Sequence, residues 1–311
     1  MYNLGRHREA VALARGHVAL AEAVGSLFER AGAWSLLGIL VLEDDPGEAL
    51  SATVEAADLA RRAGDRRLEM WKLGDIAESS IFAGDWSRAL SAITELEQRE
   101  LTSEARGYLS IHAAMLAALK GDSAKASAAL EDAGEQVAAG SEFLPARTTY
   151  LAGRALVSLA AGDLEAARRE AGDAVALEPA GINSRYALAI WARACIWLRD
   201  TAGVREALLA MTAFRGRWMT AERLTVEAGL AVLEGRAEEA ARVYRDAIEA
   251  WRTLECTLDL ALCELDLVQL LGPDHPEATV AKEARDIFTE LGAKPFLERL
   301  NRAAGLEEVP D

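Results

Sequence analysis

The chain has 311 residues, a formal charge of −16, 51% apolar residues and only seven prolines. That charge repels a polyanion and argues against direct nucleic-acid binding, while the Ala-, Leu-, Glu- and Arg-rich usage is that of packed helices and not of sheets. Cys195, Cys256 and Cys263 are too few and too irregular for a disulfide framework or a zinc site, which points to a reducing, cytoplasmic setting.

From the N-terminus, the apolar stretch of MYNLGRHREAVALARGHVAL is interrupted by Arg15, Gly16 and His17 and lacks the continuous core of a signal peptide. The next apolar run, Ala31 to Leu42, is too short to cross a bilayer, which takes about 20 residues as a helix, so it reads as a buried helix and no membrane partner is expected.

A punctuation mark then recurs along the chain: LGRHREA, FAGDWSRA, LKGDSAKA, AAGDLEAA and LEGRAEEA. Each has a Gly (Gly5, Gly84, Gly121, Gly162, Gly235) and an Ala five positions later. Weaker copies at Asp44, Arg199 and Gly272 fill the gaps, and the eight marks are separated by 39, 40, 37, 41, 37, 36 and 37 residues. The period has a mechanical reading. Gly supplies the left-handed conformation that ends one helix, Asp or Ser caps the next, and the small Ala lets two antiparallel helices approach. Apolar residues recur at helical spacing after the marks, as in Ala237, Ala240, Ala241, Tyr244, Ala247, Ile248 and Trp251. The fold expected is all-α, a right-handed α-solenoid of seven to eight helical hairpins forming a single domain over 1–311, with a capping helix at 295–304.

On these residues the unit resembles the tetratricopeptide repeat, lengthened by a few residues. The fifth repeat matches best, with Ala155, Gly162, Asp163, Ala167, Ala174 and Pro179; the seventh offers Ala228, Gly235, Ala240 and Ala247. The closing segment ARDIFTELGAKPFLERLNRAAG, Ala284 to Gly305, resembles the end of the helical-repeat regions of bacterial LuxR-type regulators of the MalT-like class and of ATPase-linked class III nucleotide cyclases. The resemblance implies a sensing or scaffolding arm in a bacterial signalling or transcription-regulatory system. The alternative it implies is a detached C-terminal part of a multidomain ATPase regulator, since no Walker motif or helix-turn-helix is found in the sequence. Gly5 stands at a turn with almost nothing before it, so the first hairpin lacks its first helix, and the uncapped end offers a route to homo-oligomers.

Chemistry is sparse. His7, His17, His112 and His275 fall in different repeats, and His112 reads as a core histidine. Cys256 and Cys263 share a helix face as packing residues; Glu43, Asp44 and Asp45 read as a solvated turn and not as a metal site. No nucleophile–base motif occurs, and the expectation is a non-enzyme with no cofactor.

By the family resemblance, the first helix of each pair lines the concave face. Counting back from the turns puts Trp71, Tyr108, Thr149 and Tyr186 at the second position of repeats three to six, with Trp34 at the fifth position of repeat two. Glu78 and Arg193 fall at the ninth position of repeats three and six. Rings beside an Arg suit a protein or peptide segment, or a small effector. The stretch 180–223 adds Arg185, Arg193, Arg199, Arg205, Arg215, Arg217 and Arg223 against three acids, a basic patch suited to an acidic or phosphorylated ligand.

Overall fold

The computed structural model describes residues 7–140, 144–181 and 183–306, so the mark at Gly5 lies outside the described residues. The described residues form sixteen α-helices and a short 3₁₀ turn, with no strand among them. The fold is an all-α solenoid of helical hairpins, as the repeat period predicts.

By packing, the chain divides into two compact units. The first comprises residues 1–101 with 216–218. It holds α1 (His7–Val24), α2 (Leu27–Val41), α3 (Pro46–Ala63), α4 (Arg66–Ala83) and α5 (Trp86–Glu97), each packed on the next. The second comprises 102–215 and 219–311. It holds α6 (Ser103–Leu119), α7 (Ser123–Gly140), α8 (Leu144–Ala161), α9 (Leu164–Leu177), α10 (Ser184–Leu198) and α11 (Thr201–Met211). These are followed by α12 (Arg217–Leu233), α13 (Ala237–Leu254), α14 (Thr257–Leu271), α15 (Ala281–Leu291) and α16 (Lys294–Ala303).

The marks are turns between helices, and their chemistry is the one their residue types dictate. At Gly84, φ is +88°, a left-handed conformation that closes α4, and Asp85 Oδ1 then accepts the Arg88 amide at 3.1 Å to cap α5. The pair Gly162–Asp163 repeats this between α8 and α9. At the weaker mark the left-handed residue is Arg199 itself, φ +58°, while Asp200 accepts the Gly203 amide at 3.0 Å.

Within a hairpin the two helices differ. The first helices α10 and α14 are enclosed on nearly every side: thirteen and twelve of their fifteen residues are buried. Second helices keep one wet face, as in α13, whose buried residues Ala240, Ala241, Tyr244, Ala247, Ile248 and Trp251 form one stripe. Ala49 and Ala52 of α3 bury against Leu37, Leu40 and Val41 of α2, the small-residue contact expected five positions after the mark.

Candidate functional site

In the first unit, the first helices α2 and α4 present the most open surface. On α2, Gly32, Leu36 and Ile39 form an exposed stripe at helical spacing, with Leu36 and Ile39 each more than 40% accessible. Trp34 is half-buried, packs against Ala31, Leu59 and Ala60, and donates from Nε1 to Glu22 Oε1 at 3.2 Å. Leu68, at the start of α4, packs on that same cluster. One turn further along α4 comes Trp71, half-buried, and two turns beyond it Glu78, also half-buried, with Gly74 and Asp75 between them on the same face. Lys72 forms an ion pair with Asp75. The arrangement is an apolar strip on one helix and a ring followed by carboxylates on the other.

The second unit treats its predicted residues differently. Tyr108 on α6 is half-buried, its ring 6.4 Å from that of His112. Thr149 is buried on α8. Tyr186 is only 6% exposed; the Arg185 guanidinium lies 4.2 Å from its ring centroid and donates to its hydroxyl at 2.8 Å. Arg193 is 4% exposed and pairs with Asp266. Tyr186 and Arg193 therefore give packing in place of an open row of rings with an adjacent free cation. Within the basic run, Arg185 and Arg193 are buried and Arg205 pairs with Glu234 at 2.5 Å, so these three do not form an open patch.

Around Arg193 lies a buried polar cluster that sequence reasoning missed. Arg193 Nε donates to Asp266 Oδ2 at 3.0 Å and Trp197 Nε1 donates to Oδ1 at 2.6 Å, which ties α10 to α14. Arg299 of α16 stacks 3.8 Å from the Trp197 ring centroid. Burial opposes the Arg193 charge, but Asp266, Glu222 and Asp259 outweigh it and raise the Arg193 pKa. Glu222 is fully enclosed on α12, and burial raises its pKa as it raises that of Asp266. A signal for this cluster was available: TLDLALCELDLVQLL sets Asp259, Glu264 and Asp266 in an otherwise apolar helix, and such acids need buried partners.

Among the described residues no group of three or more His, Cys, Asp or Glu is placed to hold a metal ion, and no helix is long and apolar enough to cross a membrane. The three cysteines are buried and form no disulfide; burial pushes the Cys195 thiol up to about 12. His112 is buried and held neutral, its pKa lowered to about 4 by desolvation.

No protein-family model matches the chain. No curated protein matches it either. Among solved structures it is similar to the crystal structure of yeast Tom70, at 13% identity and a TM-score of 0.42, covering 89% of this chain and 66% of that one. The match thus spans just under two thirds of that structure's length.

Proposed function

We propose that the chain is a non-catalytic binding scaffold of tetratricopeptide-like hairpins that takes a protein or peptide segment on the side lined by first helices. The observation that carries this reading is the open face of the first unit: Leu36 and Ile39 on α2, with Trp71 and Glu78 on α4. Among the described residues, the large apolar side chains of the other first helices are buried or half-buried, so exposed ones at helical spacing mark a surface kept for a partner. The fitting segment carries an apolar side chain for the α2 strip and a basic residue for the carboxylates of α4.

The closing segment, with its resemblance to helical-repeat arms of bacterial regulators, supports a place in a signalling or transcription-regulatory system. In that role the hairpins relay binding by small changes in helix packing.

The test starts with selection of binding peptides from a random display library on the intact protein. Leu36→Glu with Ile39→Glu, and separately Trp71→Ala, should each weaken the selected peptides at least tenfold while circular dichroism and melting stay as in the parent. Peptides that bind both variants unchanged would place recognition elsewhere and overturn the reading.

A further inference from the structure

Within the second unit, α16 packs on α14 and α15 and also reaches back to α6 and α8. Its Pro295 stands against the turn after α6, where a Cβ placed on Gly121 would come within 3.3 Å of Pro295 Cδ. Phe296 meets Trp197 of α10 with ring centroids 6.4 Å apart, and Arg299 donates from Nε to Gln269 Oε1 of α14 at 2.6 Å. The helices α6, α8, α10 and α14 are all first helices, so α16 lies along the side that first helices line. In this unit that side is already filled, and filled by a helix.

What holds α16 there is modest. Two of its side chains, Phe296 and Leu300, are buried, and Phe296 also stacks on Phe288 of α15 at 5.9 Å. The helix has ten residues and starts from Ala293, which supplies no side-chain cap, so it forms only through its packing. Arg299 is half-buried over the Trp197 ring and makes no ion pair among the described residues. Its hydrogen-bond partner is a neutral amide, and burial pushes its guanidinium down to about 10. Two residues join α16 to α15: Gly292, left-handed at φ +71°, and Ala293. A short, uncapped helix carrying a desolvated cation on a two-residue joint is an occupant that another helix can replace.

We propose that α16 is a tethered occupant of the first-helix side of the second unit, and that this side takes a partner's amphipathic helix of the same pattern in its place. The pattern is an aromatic residue, a basic residue three positions on and a leucine next to it, as in Phe296, Arg299 and Leu300. The aromatic ring answers Trp197 and Phe288. The basic residue lies on an indole whose Nε1 donates to Asp266 at 2.6 Å, and the charge of Asp266 favours a cation there. While α16 is in place, a free helix competes with a joined one that has the advantage of proximity. The proposal rests on the scaffold reading and is independent of the open face on α2 and α4.

The probe is a fluorescent synthetic peptide with the sequence of 293–304, and its binding to the full chain is read by anisotropy. The parent should bind it weakly. Phe296→Ala with Leu300→Ala, which loosens α16 within the chain, should bind it about tenfold more tightly, because a larger fraction of molecules then has the side open. Adding Leu36→Glu with Ile39→Glu should leave that binding unchanged, and a peptide with alanine in place of its phenylalanine and arginine should lose it. A second protein, Gly121→Cys with Lys294→Cys, fixes α16 in place: a Cβ at 121 lies 3.4 Å from that of Lys294, within reach of a disulfide. The strain of a Cys at φ +82° is common to its oxidised and reduced forms, so their difference reports the lock alone. Oxidised, it should bind no peptide, and reduction should restore binding. Equal binding by the parent, the loosened variant and the oxidised protein overturns the proposal. A loosened variant whose helical signal falls by more than the ten residues of α16 makes that helix part of the core and overturns it as well. Binding lost on the first-unit substitutions would place the peptide on α2, against the proposal but in keeping with the scaffold reading.

Discussion

The guanidinium of Arg193 meets the carboxylate of Asp266 across 73 residues of sequence, with Nε 3.0 Å from Oδ2 and both side chains enclosed within the second unit. Neither charge reaches water, so each depends on the other. Arg193→Met leaves Asp266 ionisable and uncompensated and should cost about 3–5 kcal/mol of stability, read by equilibrium urea unfolding. Arg193→Met combined with Asp266→Leu removes both charges and should recover most of that loss. A double variant as unstable as the single one would mean that the shape of the salt bridge matters and its charge does not.

The histidine at 112 links the fold to acid. Its burial lowers its pKa to about 4, whereas an unfolded histidine titrates near 6.5. Between these values the unfolded chain binds a proton that the folded chain refuses, so stability falls as pH drops from about 6.5 toward 4. His112→Leu removes this contribution. Measured against the parent, the variant should gain about 2 kcal/mol in relative stability between pH 7.5 and pH 5. A constant difference between the two proteins over that range would show that His112 takes up a proton in place.

Glu264 works in the opposite direction. It is fully buried on α14, 3.5 Å from Arg252, and its pKa is pushed up to about 9 by burial first and then by the neighbouring Glu283, against the pull of Arg252. Glu283, ion-paired to Arg252, is held below its ordinary value. Because the folded value of Glu264 lies above the unfolded one, the folded state holds the extra proton, and stability declines as pH rises from about 4.5 through 9. Glu264→Gln keeps the shape of the neutral acid and removes the titration. The variant should match the parent near pH 4 and exceed it by at least about 1–2 kcal/mol at pH 8, as seen in thermal melts across pH. A gap that narrows with rising pH would refute the assignment.

How much of this was readable beforehand follows from the kind of force involved. The turns were legible because a left-handed Gly followed by a capping Asp is a local device, fixed by five consecutive residues such as Gly84 to Arg88. The same device also closes α3 at Gly64 and caps α4 from Asp65, a junction between hairpins that the repeat count passed over, so the mark alone does not tell a turn within a hairpin from one between hairpins. Trp34, Trp71, Glu78 and Tyr108 are half-buried. Tyr186 and Arg193 sit at equivalent positions and are buried, because exposure there depends on Arg185 and on Asp266, and the latter lies on a helix two hairpins away. Position within a repeat says which way a side chain sets out from its helix. It does not say what fills the space in front of it.

Arg199 offers a last test of the turn mechanism. It occupies the left-handed position that Gly fills at the stronger marks, with φ +58°, and its amide bonds the carbonyls of Cys195 and Ile196 to close α10. A side chain at positive φ brings its Cβ against the backbone, a strain of about 1–2 kcal/mol that Gly avoids. Against this, Gly adds freedom to the unfolded chain, which offsets part of the gain. Arg199 is exposed, so no packing is lost on its removal. Arg199→Gly should therefore stabilise the protein by roughly 0.5–1 kcal/mol, whereas Arg199→Ala, which keeps the Cβ, should leave stability within about 0.5 kcal/mol of the parent. Urea unfolding of the three proteins decides it: a gain in both variants would assign the effect to loss of the Arg charge, and a loss in the Gly variant would mean that the turn is held by the Arg side chain and not merely tolerated by it.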